Sequence, residues 1–341
     1  MSLSVGIVGL PNVGKSTLFN ALLKKQSALA ANYPFATIEP NVGVVGVPDE
    51  RLNVLAKIVN TEKIVQATVT FVDIAGLVKG ASTGEGLGNK FLSHIRETDA
   101  IVQVLRDFAD ENVIRAGSEN PKSDFEVIQT ELLMADIQTI EQIKENRKDK
   151  SRSELAGRMH EQLLKGVPVR EMGFSDEEKI MVKQMGLLST KPVIKVYNVD
   201  ESRVLETRDD GVVISAQIES DLAGLNEAEQ KEYLAGIGLE KPGLERLIKK
   251  AYDTLGLQTF LTAGEKEVRA WTIHKGDKAP QAAGVIHGDF EKHFIKADCV
   301  AFDDFVLYGG WLKAREMGKV RMEGREYVMV EGDVVEFKVG V

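Results

Sequence analysis

The amino-acid sequence predicts an α/β protein with two further modules, on three observations. Over the first 127 residues, apolar runs of strand length alternate with helical patterns, which is typical of strand–helix–strand units around a largely parallel sheet. Residues 128–185 are polar, charged and helical in pattern, which indicates an antiparallel helical hairpin. Beyond residue 260, short apolar runs alternate with glycines and charged turns, which indicates a small β-grasp or barrel-like module.

The order of these patterns predicts that the hairpin interrupts the first domain. Strand patterns return at residues 192–198 and 212–215, and a closing helix follows at 244–255 with Gly256 as its stop signal. We therefore predict an α/β domain over residues 1–127 and 191–260, a helical insertion over 128–190, and a C-terminal module over 261–341.

The helical insertion shows the apolar spacing of a helix that packs on one face. Its apolar residues recur at mixed three- and four-residue steps, which fits packing within one hairpin. The charged run at residues 144–152 has two interpretations, a solvated hairpin tip or a docking surface. The spaced apolar residues are Leu132, Leu133, Ile137, Ile140 and Ile143.

Composition and charge narrow the class of protein. The hydrophobic share of 43% and the charged share of 28% are those of an ordinary globular chain. A net charge of -9 argues against indiscriminate nucleic-acid binding, because that needs clustered lysine and arginine. A single cysteine, Cys299, excludes an internal disulfide, and the sequence shows no leader pattern or long apolar span. We therefore expect a cytoplasmic protein.

Residues 9–16 carry the strongest motif, a glycine-rich loop of the Walker A spacing that follows a strand and precedes a helical stretch. Backbone N–H groups of such a loop surround phosphates, the lysine adds a positive charge to the β- and γ-phosphates, and the serine hydroxyl binds Mg²⁺. We therefore assign phosphate binding to Asn12, Val13, Gly14, Lys15, Ser16 and Thr17.

Two further segments have the spacing of metal and γ-phosphate contacts. Asp73 follows an apolar strand, so its carboxylate should lie at the carboxyl edge of the sheet beside the phosphate loop. Thr37 lies between the first helix and the next strand, where a first switch loop would bring it to the metal. We predict Ser16, Thr37 and Asp73 as Mg²⁺ ligands, and Lys15 and the backbone N–H of Gly76 as the catalytic groups at the γ-phosphate.

Two loops after later strands are positioned to bind a nucleotide base, and one departs from the Asn-Lys-x-Asp pattern of GTPases. In that pattern a carboxylate accepts two N–H donors of guanine and the lysine stem covers the ring. Val199 and Glu201 occupy the lysine and aspartate places here. Adenine offers one donor amine, so loss of the clamp predicts relaxed specificity or a change toward ATP. The predicted base-binding residues are Asn198, Val199, Glu201, Ser215, Ala216 and Gln217.

The group that orients the attacking water is not evident from the motifs. Leu77 follows Gly76 at the position where many signalling GTPases have a glutamine. His94 is a candidate for this role, although a histidine on a helix surface is the simpler interpretation. Asn12, beside Lys15, is a candidate ligand for a monovalent cation such as K⁺.

With these motifs the sequence closely resembles the YchF/Obg-like ATPase family over essentially its whole length. The N-terminal segments that carry the resemblance are the phosphate loop and residues 32–41, 73–81 and 91–100. The C-terminal segments are residues 259–264, 267–272, 287–292 and 331–333.

The resemblance implies a P-loop GTPase-like domain interrupted by a coiled-coil hairpin and followed by a TGS domain, which is a β-grasp module. It also implies a preference for ATP over GTP, dependence on Mg²⁺, base contacts from the Asn-x-x-Glu loop, and association with ribosomes. Members are termed HAS-type because a hydrophobic residue, here Leu77, replaces the catalytic glutamine. Arg115 lies where similar bacterial sequences often have a histidine proposed to assist hydrolysis, so the resemblance does not establish that mechanism here. Arg115 has two interpretations, a group that stabilises phosphate charge or, more simply, an exposed loop arginine without such a role.

Three functional interpretations follow. The first is a ribosome-associated ATPase that acts as a nucleotide-dependent switch in translation or stress regulation. The second is a nucleotide-gated binding protein with incidental hydrolysis, and the third is an Obg-like GTPase in ribosome assembly.

The C-terminal module has either a local RNA-binding face or core aromatics with solvated lysines. The residues of that face are Lys275, Lys278, Lys292, His293 and Lys296, with Trp271, Phe290 and Phe294.

Overall fold

The computed structural model describes residues 3–30, 41–74, 87–110, 119–145 and 149–340. Four positions named above lie outside these ranges: Thr37, Gly76, Leu77 and Arg115.

The strands lie mainly at the two ends of the chain, on either side of a helical middle. In chain order the described strands are β1 (Ser4–Gly9), β2 (Val42–Gly46), β3 (Ile64–Val65), β4 (Thr68–Asp73), β5 (Ala100–Asp107), β6 (Val193–Val199), β7 (Gly211–Ile214), β8 (Leu257–Ala263), β9 (Val268–His274), β10 (Phe294–Val300), β11 (Arg321–Glu323) and β12 (Val334–Val339).

Helices connect most of these strands. In chain order the described helices are α1 (Lys15–Ala30), α2 (Arg51–Val59), α3 (Leu87–Glu97), α4 (Pro121–Glu145), α5 (Lys150–Leu164), α6 (Asp176–Met185), α7 (Ala216–Leu222), α8 (Glu227–Gly236), α9 (Gly243–Thr254), α10 (Ala279–Ile286), α11 (Gly288–Lys292), α12 (Phe302–Leu307) and α13 (Trp311–Glu316). None of them is long and apolar enough to cross a membrane.

The first sheet has six strands in the order β2-β4-β1-β5-β6-β7. The pairs β1–β4, β1–β5, β5–β6 and β6–β7 are all parallel, which confirms the predicted α/β class. Because parallel strands end at the same edge, the segments after β1, β4, β5, β6 and β7 meet there. The sheet thereby brings together loops that are far apart in the sequence.

The helical insertion has its own apolar core. The helices α4 and α5 pack along each other, and α6 completes the cluster. Ile140 is fully buried between these helices, with the predicted apolar positions Leu133, Ile137 and Ile143 packed beside it. At the base of the insertion, the buried carboxylate of Asp136 accepts hydrogen bonds from the backbone N–H groups of Leu188 and Ser189, at 2.7 and 2.8 Å.

Local signals fix the ends of several helices. Ser175 and Glu178 form a reciprocal capping box at the start of α6, and Asn226 and Glu229 form one at the start of α8. Gly256 follows α9 with a φ of +66°, the left-handed conformation that glycine adopts without a Cβ penalty. The predicted stop signal is therefore present in the structure.

The second sheet has the order β11-β10-β12-β8-β9-β3, and its strands β8–β12 belong mainly to the C-terminal module. It mixes directions: β8–β9 and β10–β12 are antiparallel, whereas β12–β8 and β9–β3 are parallel. Phe260 lies at 0% exposure in its core, stacked on Trp271 and edge-on to Phe337. The module contains four helices, α10–α13, in addition to the short strands that the sequence predicts.

The strand β3 comes from the N-terminal half of the chain but completes this second sheet. The carbonyl of Lys63 accepts a hydrogen bond from the N–H of Val268 at 3.0 Å, and its ammonium pairs with Glu267 at 2.6 Å. Arg51, the first residue of α2, pairs with Glu331 at 2.6 Å. The described residues accordingly fall into two compact units, one within the ranges 1–25, 37–43 and 70–247, the other within 26–36, 44–69 and 248–341.

Candidate functional site

The phosphate loop has the local geometry that its sequence predicts. The strand β1 ends at Gly9, and the first backbone hydrogen bond of α1 runs from Leu18 to Gly14 at 3.0 Å. Gly14 has a φ of +89°, and a Cβ at this position would collide with the side-chain amide of Asn198. Only glycine therefore fits between the loop and Asn198. The free N–H groups at the start of α1 can then bind an anion.

Lys15 and Asp73 meet beside this loop. Lys15 is the first residue of α1, and Asp73 is the last residue of β4, so the two adjacent strands β1 and β4 place their following residues at one edge. The ammonium and the carboxylate form an ion pair, and their side chains are 12% and 19% exposed. The structure thus brings the predicted phosphate-binding cation and the predicted metal-binding carboxylate into direct contact.

Asn198 connects the phosphate loop to the loop after β7. Its side-chain amide donates to the carbonyl of Val13 at 3.0 Å, and its oxygen accepts from the N–H of Ala216 at 2.9 Å. Asn198 is only 5% exposed, so both partners are buried polar groups that need this pairing. One side chain therefore holds both loops in register.

The two substituted positions of the base loop point in different directions. Val199 is 2% exposed and packs with Leu105, Tyr197 and Val213, so its side chain belongs to the core of the sheet. Glu201 is exposed and begins a 3-10 turn, Glu201–Arg203. Within the described residues its carboxylate accepts no hydrogen bond and forms no ion pair. Glu201 is thus available to a ligand, whereas the side chain of Val199 is not.

The remaining base-loop residues lie at the start of α7. The hydroxyl of Ser215 caps this helix by accepting from the N–H of Ile218 at 3.4 Å. The amide of Gln217 donates to Asp221 at 3.0 Å from an exposed position. Ser215 and Ala216 are 2% and 4% exposed, so Gln217 has the exposed side chain of this loop.

One pocket of about 1310 Å³ unites nearly all of these residues. Its volume is sufficient for a nucleotide-sized ligand. Val13 does not line it. The side chain of Val13 is buried at 1% exposure, and its backbone carbonyl accepts the hydrogen bond from Asn198. The predicted residues that line this pocket are Asn12, Gly14, Lys15, Ser16, Thr17, Asp73, Asn198, Val199, Glu201, Ser215, Ala216 and Gln217.

The sequence analysis missed one wall of the pocket, formed by Phe108, Ala109 and Asp110. These residues directly follow β5, just as Asp73 terminates β4. The guanidinium of Arg106 lies 4.5 Å from the ring centre of Phe108 and donates to the carbonyl of Asp110 at 3.2 Å. The position after a central parallel strand was the signal that could have identified this wall.

Charged side chains beyond this wall form a network around Asp107, the last residue of β5. Arg203 donates to Asp107 and to Glu206, and Arg208 pairs with the same two carboxylates. Hydrogen bonds from Arg203 lower the pKa of Glu206 below its ordinary value. The network thus joins two guanidinium groups to two carboxylates at the end of β5.

The donor set at the phosphate loop fits Mg²⁺ in chemistry. Ser16 and Asp73 line the same pocket and supply a hydroxyl and a carboxylate oxygen, the hard ligands that this ion prefers. No group of three or more histidine, cysteine, aspartate or glutamate side chains suited to a metal occurs among the described residues. A cation here would therefore need further oxygens from phosphates and water, which is the usual arrangement for Mg²⁺.

Comparison with known proteins matches both ends of the chain to described families. A family model described as 50S ribosome-binding GTPase matches residues 4–131, and the model for the C-terminal region of YchF GTPases, a region of unknown function, matches residues 257–340. The chain is 46% identical over 367 residues to the ribosome-binding ATPase YchF of Bacillus subtilis, and the match covers 100% of both. The chain belongs to the YchF family.

Other YchF proteins agree with this assignment. The ribosome-binding ATPase YchF of Escherichia coli O157:H7 is 48% identical over 364 residues, with both chains covered completely. The solved structure of the Schizosaccharomyces pombe YchF GTPase superposes with a TM-score of 0.88 at 38% identity, over 99% of this chain and 98% of that one. Both the sequence and the fold are therefore those of YchF proteins along the whole length.

His94 lies outside the pocket. It is exposed on α3, as expected of a helix-surface histidine.

The aromatic residues of the C-terminal module pack in its core. Phe294 is 3% exposed, and Trp271 and Phe290 pack against the same core, which favours the interpretation of core aromatics in the C-terminal module. Each of the four lysines there pairs with a carboxylate: Lys275 with Asp253, Lys278 with Glu326, Lys292 with Asp289, and Lys296 with Asp298. Contact with RNA stays a prediction.

Proposed function

We propose that this chain binds and hydrolyses ATP, in preference to GTP, and acts as a nucleotide-dependent switch on the ribosome. The observation that carries the proposal is the single pocket in which the phosphate loop and the unbonded carboxylate of Glu201 both lie. Membership of the YchF family supports it, because the relatives from Bacillus subtilis and Escherichia coli are named ribosome-binding ATPases.

The phosphates would bind at the start of α1. Backbone N–H groups of residues 12–17 would donate to the phosphate oxygens, and Lys15 would exchange its contact with Asp73 for the β- and γ-phosphates. With Mg²⁺ bound, the ion neutralises charge on the phosphates. Ser16 and Asp73 would hold it, with Thr37 as the proposed third ligand and the backbone N–H of Gly76 at the γ-phosphate. Asn12 is the proposed ligand for K⁺.

The base would lie between the loops after β6 and β7. Asn198 keeps these loops together, and Glu201 would accept a hydrogen bond from the amine of adenine. Because the side chain of Val199 is buried, no lysine stem covers the base as in ordinary GTPases, and contact at this position would come from the backbone. The base loop would thus lack the lysine stem that covers guanine in GTPases.

Binding to the ribosome would involve the modules outside the nucleotide pocket. We propose the domain boundaries given above, with the insertion at 128–190 and the C-terminal module at 261–341 as candidate contact surfaces. Their paired charges argue for specific contacts with defined partners over general attraction to RNA.

The decisive experiment is equilibrium binding of ATP and of GTP to the purified chain with Mg²⁺ at physiological salt. We expect ATP to bind at least about tenfold more tightly, which corresponds to about 1.4 kcal/mol. A clear preference for GTP would instead support an Obg-like GTPase of ribosome assembly. Lys15→Ala should weaken both nucleotides, whereas Lys179→Ala, which removes an exposed lysine on α6, should weaken neither.

The role of hydrolysis requires a separate measurement. Co-sedimentation with ribosomes in ATP, ADP and a non-hydrolysable ATP analogue should give different bound fractions if the nucleotide controls association. In ATP, a variant that binds ATP but does not cleave it should keep the ribosome-bound fraction of the ATP-bound state. Full biological function in such a variant would favour the nucleotide-gated binding protein with incidental hydrolysis.

A further inference from the structure

We propose that Arg203 and Asp107 are positioning residues for base selectivity, because they fix the turn that presents Glu201 to the pocket. This inference rests on the proposed function, in which the pocket binds a nucleoside triphosphate, and it adds the residues that control which base is accepted. Neither side chain lines the pocket, so both would act through the turn and not by direct contact.

The first observation is the number of bonds between Arg203 and the end of β5. The guanidinium donates to the backbone carbonyl of Asp107 at 2.9 Å and to its two carboxylate oxygens at 3.2 Å each. Planar guanidinium groups hold a carboxylate in a defined orientation when they bond through two nitrogens. The turn Glu201–Arg203 is thus bound to the strand that leads into the pocket wall.

The second observation is that Arg203 is itself held from its other side. Its Nε and one terminal nitrogen donate to the carboxylate of Glu206 at 2.6 and 2.9 Å. Arg208 pairs with Asp107 and lies 4.1 Å above the ring of Tyr197 in β6. A single exposed ion pair contributes little to stability, but a network of charged hydrogen bonds restricts geometry.

The third observation concerns the residues on either side of Glu201. The carboxylate of Asp200 accepts a hydrogen bond from the N–H of Ala109 at 3.3 Å, and Arg203 bonds to Asp107. The first bond joins the turn to the segment after β5, and the second joins it to the last residue of β5. Glu201 lies between these two anchored residues, and within the described part of the chain its own carboxylate has no partner. The backbone is therefore fixed while the carboxylate stays available to a ligand.

This arrangement has a consequence for selectivity. Adenine offers one donor amine at its edge, whereas guanine offers two adjacent N–H donors to a carboxylate. A carboxylate held in one place can be aligned with the single donor, but a loosened turn would let it rotate to accept both donors of guanine. Loss of the network should then weaken ATP binding and relatively favour GTP.

The test measures the ratio of the dissociation constants for GTP and ATP, with Mg²⁺, in the full chain. We expect Arg203→Met to lower this ratio by about threefold to tenfold, the value of one hydrogen bond. Arg203→Lys should recover part of the loss. Arg158→Met, which removes an ion pair with Glu178 in the helical insertion, should leave the ratio unchanged.

A double-mutant cycle separates positioning from general structural damage. If Arg203 acts through Glu201, Arg203→Met should change the ratio in the parent chain but not in a Glu201→Ala background. An equal change in both backgrounds, or no change in the parent, would overturn the proposal. Melting temperatures within about 3 °C of the parent should accompany all of these variants, because partly exposed ion pairs contribute little to stability.

The outcomes also distinguish this inference from the proposed function. A parent chain that prefers GTP would contradict the proposed preference for ATP, and a dependence of the ratio on Arg203 through Glu201 would still support the inference. A parent chain that prefers ATP, with a ratio that does not depend on Arg203, would support the proposed preference for ATP and contradict the inference. Absence of binding to either nucleotide would overturn both.

Discussion

The side-chain amide of Asn198 donates a hydrogen bond to the carbonyl of Val13, a residue 185 positions earlier in the chain. Its oxygen accepts from the N–H of Ala216, so the phosphate loop and the loop after β7 share one buried side chain. A residue predicted for base contact therefore also determines the position of the phosphate loop. Its removal should affect both halves of the pocket.

We expect Asn198→Ala to destabilise the protein by about 1–3 kcal/mol, because it leaves a buried carbonyl and a buried N–H without partners. The apparent melting temperature should fall by roughly 2–6 °C, and affinity for ATP should fall as well. Thermal unfolding and equilibrium binding measure the two effects. Asn53→Ala, on the exposed face of α2, is the matched control and should change neither.

Gly14→Ala should abolish nucleotide binding and lower stability by about 1–2 kcal/mol, because a Cβ is strained at this φ and collides with Asn198. Gly157→Ala is the matched control. This glycine lies within α5, and nothing lies within 4 Å of an added Cβ, so the substitution should stabilise the helix by about 0.5–1 kcal/mol. If both substitutions change the free energy of unfolding in the same direction, this interpretation is wrong.

Asp73→Asn should slow ATP hydrolysis by about tenfold or more, since it removes the carboxylate proposed for Mg²⁺ while keeping the shape of the side chain. The Mg²⁺ concentration required for half-maximal activity should rise. Asp176→Asn, at an exposed position in the first turn of α6, provides the control. If Mg²⁺ dependence is the same in Asp73→Asn as in the parent, Asp73 is not a ligand.

Cys299 should resist alkylation in the folded protein at pH 8. Burial raises the pKa of its thiol from 9.0 to about 12, so the reactive thiolate is scarce as well as inaccessible. Because the thiol ionises at a higher pH in the folded state than in the unfolded state, it does not lower the free energy of unfolding below pH 9. As the pH rises from 9 toward 12, the unfolded thiol loses its proton first, and the free energy of unfolding falls. Labelling with iodoacetamide across a urea series should follow unfolding, and rapid labelling without urea would contradict the burial.

The sequence predicted the parts of the site that depend on local order. The Walker A spacing fixes the phosphate loop within eight residues, and Asp73 was found because it follows an apolar strand directly. The wall at Phe108 and the network of Asp107 with Arg203 were missed. Arg203 lies in a loop without periodicity, and its partner is reached only after β5 and β6 have paired in register. Such contacts depend on tertiary structure, which spacing alone does not reveal.

The same distinction applies to the fold. The long helices of the insertion were evident from their apolar spacing, whereas α2, α7 and α8 were not identified. The capping box of Asn226 and Glu229 was a readable signal for α8. The short helices α11, α12 and α13 bury at most one residue each, so their sequences lack the repeated apolar spacing that predicts a helix.

The pairing of β3 with β9 has a consequence for biosynthesis. Residues 44–69 emerge from the translating ribosome well before the strands β8 and β9, which α2 contacts, have been made. Until then, the apolar side chains Leu52 and Leu55 have no C-terminal sheet to cover them. A nascent chain that stalls ahead of residue 257 should therefore be the species most prone to aggregation and most dependent on chaperones.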